Sequence, residues 1–467
     1  MLPCRYILNP KYALRGWQDV PYALRDLATG GTVAIGESTF HALAFCNGGF
    51  DADSALVLPA HRKIIAALAQ SGIVRPAAPG EVLSMRQRYV KADMRIVGKA
   101  LWSLTGLCNL RCRHCYLSAP QGKYGEPSLE ECLKIIDHLA EANIGLVCLT
   151  GGEPLVRKDL PAILDALSEA NIRLDQIYTN GTLVTRAFLD DIARRGEHPE
   201  FCLSFDGLGW HDWLRGIPGA EQATIEAIDL IVGQGFEVGV EMAVHRKNLP
   251  TMWTTIQHLS EHGVKSCKIS PCSNSGNWIQ QANAYGLTAS ELMDAWLDLV
   301  AEFLRHGSPI DLMLGGFFAC NGGSSACSVP LKRFGGREDA WDLPLCGCAN
   351  HVVYIGADGR LLPCMPLAGL SVQQTMPRLP SLSLKEALSA PGYARYVDTT
   401  LREFSQMNEG CRNCRHFLSC GGGCRASALI ETGDYFAPDP AACAFFKKGY
   451  EKKLAHVVEV NGGTLVD

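Results

Sequence analysis

Nowhere in the chain does an apolar run approach the roughly 20 residues that span a bilayer. The opening MLPCRYILNPKY has no apolar h-region, so no signal peptide is expected and a cytoplasmic location follows. A basic stripe is also missing. The formal net charge is −5 with acidic and basic residues interspersed, which excludes the electrostatic footprint of a nucleic-acid binder. What is abundant is cysteine, with twenty in 467 residues. Without an export signal these do not read as a disulfide framework, because a reducing compartment keeps thiols free. The length itself calls for two or three domains.

One further absence is local. The stretch TGLCNLRCRHCYLS carries Cys108, Cys112 and Cys115 within eight residues and no fourth cysteine. A closed structural metal site uses four protein ligands, whereas a catalytic one leaves a position open. Zinc sites are built from CxxC pairs, so CxxxCxxC fits them poorly, even with His114 as a fourth donor. Soft thiolates this close point to iron–sulfur chemistry. Cys132, Cys148 and Cys202 sit in apolar periodic contexts and read as core residues.

The hydrophobic rhythm divides the chain into 1–92, 93–309 and 310–467. In the first part, YALRDLATGGTVAIG predicts a hairpin turning at Gly30-Gly31. ESTFHALAFCNGG and LPAHRKIIAALAQSGIV predict two helices stopped by glycine, giving a winged-helix-like α+β unit. Beyond Lys99, strands are expected at 101–106, 145–150, 173–180, 201–207, 236–244 and 264–270. Helices are expected at 128–142, 158–170, 184–195, 219–234, 249–262 and 288–306. Six strand–helix alternations imply a parallel sheet, short of the eight of a closed barrel. The fold class is therefore α/β, a partial (β/α)6 barrel with the thiols after its first strand, where parallel barrels carry their chemistry. After 310 the periodicity fades into Gly, Pro and Cys, and metal clusters would supply the missing cross-links.

CNLRCRHC after the first strand, GGEP after the second and SFDG after the fourth resemble the radical S-adenosylmethionine enzymes over about residues 99–306. The resemblance implies a [4Fe–4S] cluster on Cys108, Cys112 and Cys115, its fourth iron chelated by S-adenosylmethionine. It implies that Gly151, Gly152 and Glu153 meet the methionine amino group, that Ser204 and Asp206 face the ribose, and that Thr179 and Asn180 line the same pocket. His114 would meet adenine through its backbone. Arg215 would pair with the methionine carboxylate, or else form a surface salt bridge.

The spacing of Cys348, Gly359, Cys364, Cys411, Cys414, Cys420, Cys424 and Cys443 resembles the SPASM extension. That resemblance implies two auxiliary [4Fe–4S] clusters. One would use Cys411, Cys414, Cys420 and Cys443; the other Cys364, Cys424 and one or both of Cys346 and Cys348, with Cys320 and Cys327 as further candidates. DGRLLPC reads as a hairpin turning at Asp358-Gly359. Residues 1–92 resemble the PqqD-like domains that bind leader peptides, by adding a strand to a sheet edge.

Together these imply a radical SAM/SPASM peptide maturase. It would form a thioether or carbon–carbon cross-link in a ribosomally made precursor peptide, using a reductant such as flavodoxin or ferredoxin. A formylglycine-generating oxidase, a peptide epimerase and a non-catalytic iron–sulfur electron carrier are the alternatives.

Overall fold

The computed structural model describes residues 5–119, 121–335 and 338–466, with the side chains of Glu338 and Cys348 outside that description. Its centre is the expected alternation. Strands β1 Lys99–Ser103, β2 Leu146–Thr150, β3 Arg173–Thr179, β4 Glu200–Ser204, β5 Val238–Val244 and β6 Ser266–Pro271 lie in sequence order, every neighbouring pair parallel. Between and after them run α1 Leu129–Glu141, α2 Leu160–Glu169, α3 Arg186–Arg194, α4 Ala220–Gly233, α5 Met252–Glu261 and α6 Ala289–Arg305.

Local chemistry sets the helix ends. Ser128 and Glu131 close a capping box on α1, as Thr288 and Glu291 do on α6, satisfying N–H groups that have no partner inside the helix. The apolar stripe of α1, Cys132, Ile135, Ile136 and Leu139, is buried against the sheet. Interior faces of the strands are unexpectedly polar. Cys148 Sγ lies 3.4 Å from Asp175 Oδ2, and Cys202 shares a cavity with Tyr178, Glu200 and Glu241. The three cysteines read as core are all buried, Cys148 beside Asp175 and Gln176 and Cys202 on the wall of the polar cavity.

The sheet does not stop at 309. Asp311–Leu314 continues it parallel to β6, and Phe318–Cys320 and Ala326–Ser328 follow antiparallel. The short strand Thr464–Leu465 completes that edge. On the other side Val352–Ile355 pairs parallel with β1 and turns back through Leu361–Leu362, the hairpin expected around Gly359. The expected boundary at 310 thus cuts a continuous sheet of twelve strands. The cysteine-rich region gains a core by sharing the barrel's: Phe317, Phe318, Tyr354, Phe445 and Leu454 belong to the same buried cluster as Val147 and Phe201.

The N-terminal unit has its own small core around Leu14, Leu43 and Ile65. Its hairpin pairs Ala23–Asp26 with Thr32–Ala34, and its helices are Glu37–Ala44 and Pro59–Gln70. It is fastened to the α1–β2 turn of the barrel. Trp17, fully buried, donates its indole N–H to Ala142 O at 2.9 Å, Asn143 Nδ2 donates to Val90 O at 3.0 Å, and Arg25 donates to Asn143 O. Among the described residues no helix is long and apolar enough to cross a membrane.

Candidate functional site

The loop after β1 carries the three thiols to the carboxyl end of the sheet. Cys108, Cys112 and Cys115 lie within electrostatic reach of one another. Burial pushes the Cys108 thiol up to about 12, and raises Cys112 and Cys115 as well. The pocket nevertheless supplies what thiolates bound to a metal need. Leu110 N–H points at Cys108 Sγ and Ala119 N–H at Cys115 Sγ, each at 3.4 Å, and Arg215 Nη1 lies 3.7 Å from Cys112 Sγ. Among the described residues no three His, Cys, Asp or Glu side chains converge tightly enough for a single ion. A four-iron cube, which seats each thiolate on its own iron, asks for the wider spacing. A groove of about 510 Å³ opens beside Cys108, walled by Leu107, Val156 and Lys158.

The β2 turn is built for close approach. A Cβ on Gly152 would stand 2.1 Å from Leu107 O and 3.2 Å from Cys108 Cβ; one on Gly151 would stand 2.7 Å from Thr105 O. Only glycine lets this turn lie against the thiol loop, to which it is stitched by Gly152 N–H to Thr105 O (2.7 Å) and Glu153 N–H to Leu107 O (2.8 Å).

Glu153 points inward, where its carboxylate is fully buried. It accepts from Thr179 Oγ1 (2.9 Å), Asn180 N–H (2.8 Å) and Leu155 N–H (3.1 Å). Burial lifts it to about 7 against the pull of these donors. The structure thus gathers Glu153, Thr179 and Asn180, but it uses the carboxylate to tie the ends of β2 and β3 together. Asn180 Nδ2 also donates to Asn109 Oδ1 at 2.8 Å, and Asn109 Nδ2 to Thr182 Oγ1 at 2.8 Å, bracing the thiol loop from the side.

Asp206 departs from expectation more plainly. Both oxygens are taken up: Arg215 donates Nε to Oδ2 (2.6 Å) and Nη2 to Oδ1 (3.1 Å), and Ala243 N–H adds 2.9 Å to Oδ1. Asp206 has no exposed surface. Its carboxyl is held well below the usual range by Arg215, which outweighs its burial, with help from His211. Arg215 is correspondingly raised by Asp206 and Cys112, and it is buried, not part of a surface bridge. Ser204 ends β4 half-buried, opposite Glu241 of β5.

His114 is half-buried, with an enclosed Nδ1 that has no hydrogen-bond partner. Burial, with Arg215 nearby, pushes it down to about 3, so the ring is neutral. Sequence reasoning missed two histidines. His211 Nδ1 accepts from Asp206 N–H at 3.0 Å, one turn before Arg215. His245, fully buried, follows β5 beside Trp213 and Trp278, its Nε2 without a partner. Position at a strand end was the one signal pointing to His245.

The second cysteine array resolves into two groups. Cys411, Cys414, Cys420 and Cys443 face one another. Cys346, Cys364 and Cys424 form the other, next to Tyr435. Cys348 lies outside the described side chains, and Cys320 and Cys327 pair with each other elsewhere. Gly421, Gly422 and Gly423 have φ of 57°, 81° and 82°, a left-handed run that side chains resist. A Cβ on Gly421 would meet Phe334 at 2.1 Å, and one on Gly423 Asp439 Cβ at 2.4 Å. Buried Arg425 holds the run, donating to Tyr435 O and Ala437 O across the loop.

Comparison with known proteins bears on these groups. Residues 102–259 match the Radical SAM superfamily model. The PqqA peptide cyclase of Granulibacter bethesdensis is 27% identical over 74% of this chain and 86% of its own length. The AdoMet-dependent heme synthase of Methanosarcina barkeri is 24% identical over 73% and 94%. Streptococcus suis SuiB, solved bound to its precursor peptide SuiA, superposes on 94% of this chain and 99% of its own with a TM-score of 0.63 at 14% identity, a likeness of fold. Residues 102–259 thus form a radical SAM domain, which implies a [4Fe–4S] cluster and S-adenosylmethionine.

Proposed function

From that domain as premise, we propose that this chain is a radical SAM peptide maturase that cross-links a ribosomally made precursor. Cys108, Cys112 and Cys115 hold the catalytic cluster, one iron of which remains for S-adenosylmethionine. Held there, the cluster would supply the one-electron reduction that cleaves S-adenosylmethionine, and so the means of taking hydrogen from an unactivated carbon. The observation that carries the reading is the three-thiol nest at the carboxyl end of β1, packed against a glycine turn and opening on the groove of about 510 Å³ beside Cys108.

The chain's own residues do the positioning. Arg215, anchored by Asp206, sets a positive charge beside Cys112 and offsets the negative charge of a thiolate-bound cluster. Glu153, Thr179 and Asn180 fix the strand ends, leaving the Gly151-Gly152 backbone to receive the methionine moiety. The Cys411/Cys414/Cys420/Cys443 set holds one auxiliary [4Fe–4S] cluster. Cys364 and Cys424, with one or both of Cys346 and Cys348, would hold the other, which could accept an electron or take a substrate thiolate.

The N-terminal unit receives the leader. Thr32–Ala34 is an edge strand with Val33 68% exposed, a free ladder for an added strand. The heme synthase relative favours a tetrapyrrole substrate as the second reading. Anaerobic co-expression with a precursor encoded nearby, followed by mass spectrometry, separates the two. Loss of two hydrogens from the peptide supports a cross-link. An unchanged peptide without deuterium uptake, beside 5′-deoxyadenosine formation only with porphyrin, refutes it.

A further inference from the structure

Outside the proposed cluster groups, two further cysteines face each other across a strand pair. Cys320 ends the strand Phe318–Cys320, and Cys327 sits directly across from it on Ala326–Ser328. Both are buried, at 4% and 1% exposure, and their sulfurs are 2.8 Å apart, closer than two non-bonded sulfurs rest. Facing positions on neighbouring antiparallel strands have Cα separations that fall within the range a disulfide spans. Cys320 also lies on the wall of the cavity of about 370 Å³ at the amino-terminal end of the barrel strands. The register sets its side chain with Leu312 on the buried core face, behind that wall.

We propose that Cys320 and Cys327 are a redox-modifiable dithiol that closes to a reversible disulfide. The oxidant is a low-molecular-weight disulfide. The Cys320 sulfur, as thiolate, attacks one sulfur of the oxidant, breaking its S–S bond and releasing one small thiol. The Cys327 sulfur then attacks Cys320 in the mixed disulfide, releasing the second small thiol. The two protein thiols lose two electrons, the oxidant gains them, and the two protons leave on the released thiols.

The bond lands where it has a structural consequence. Leu312 of the barrel's edge strand pairs with Cys320, and Leu465 near the C-terminus pairs with Cys327. The disulfide therefore rivets the hairpin that joins the barrel edge to the C-terminal strand. This site does not depend on the peptide-maturase reading.

The test uses anaerobically purified holoprotein treated with 2-hydroxyethyl disulfide, acid-quenched, alkylated under denaturing conditions and mapped by mass spectrometry. Most of the peptide containing Cys320 and Cys327 is expected to appear as an internal disulfide, lost on adding dithiothreitol, while the cluster cysteines are alkylated as free thiols. In Cys327→Ala the mixed disulfide on Cys320 should persist, and hydrogen exchange across 318–328 should slow on oxidation only in the unsubstituted protein. Full alkylation of both cysteines after the oxidant overturns the proposal. So does a mixed disulfide on Cys320 that never resolves, or loss of one equivalent of zinc in Cys320→Ala.

Discussion

Replacing Asp206 by alanine should damage the barrel far more than removal of an ordinary ion pair. Asp206 is fully buried and takes two hydrogen bonds from Arg215 and one from Ala243 N–H. Removing it strands a guanidinium that is itself 8% exposed. Breaking a buried pair by deleting one partner costs about 3–5 kcal/mol, against about 0–1 kcal/mol at the surface. For a unit of the barrel's size that is a fall of about 6–20 °C in unfolding temperature. Because the folded carboxyl is held below its unfolded value, its contribution is complete above the unfolded value near pH 4 and fades as the pH falls further. The assay is anaerobic thermal unfolding at pH 7 of Asp206→Ala, Arg215→Met and the double variant. The double variant should recover part of the loss of Asp206→Ala, since it buries no unpaired charge. A shift under 2 °C for Asp206→Ala, or simple additivity in the double variant, would refute the reasoning.

Other consequences follow from the same contacts. Glu153 is lifted to about 7, so protein lacking cofactors should lose stability relative to Glu153→Gln as the pH climbs from 4.5 to 7, by about 3 kcal/mol in denaturant titrations. Trp17→Ala empties a fully buried site at the junction with the barrel; a loss of about 3–5 kcal/mol should surface as faster proteolysis between the N-terminal unit and β1. Val33→Lys should weaken precursor binding about tenfold in calorimetry, the worth of burying one valine, while leaving 5′-deoxyadenosine production in the absence of peptide unchanged. Gly423→Ala drives a Cβ into Asp439 and Ala442, and iron analysis should find one cluster missing with the catalytic one retained.

The barrel was readable because its strands and helices carry strong periods and explicit caps; Ser128 with Glu131 and Thr288 with Glu291 mark helix starts within a residue. The grouping of the thiols was readable because Cys108, Cys112 and Cys115, and likewise Cys411, Cys414 and Cys420, lie close in sequence. What stayed hidden was set by tertiary pairing. Val352–Ile355 slots beside β1 from 250 positions downstream, and nothing local in VVYI announces that partner. Asp206 sat in a motif that suggested a ligand contact, yet Arg215, nine positions on, claims it, because a buried carboxylate needs a counter-charge more than the sequence pattern reveals. Glu153 turned inward for the same reason, its acceptors filled by the neighbouring strand end.

The central claim is that three thiols hold a cluster with one iron left for an exogenous nucleoside. Electron paramagnetic resonance of the anaerobically reconstituted, reduced protein tests it directly. With Cys411, Cys414, Cys420 and Cys443 replaced by alanine to thin the spectrum, adding S-adenosylmethionine should shift one of the two remaining cubane signals, and Cys112→Ala should abolish that response. A spectrum indifferent to S-adenosylmethionine, with Cys108, Cys112 and Cys115 intact, would contradict the account.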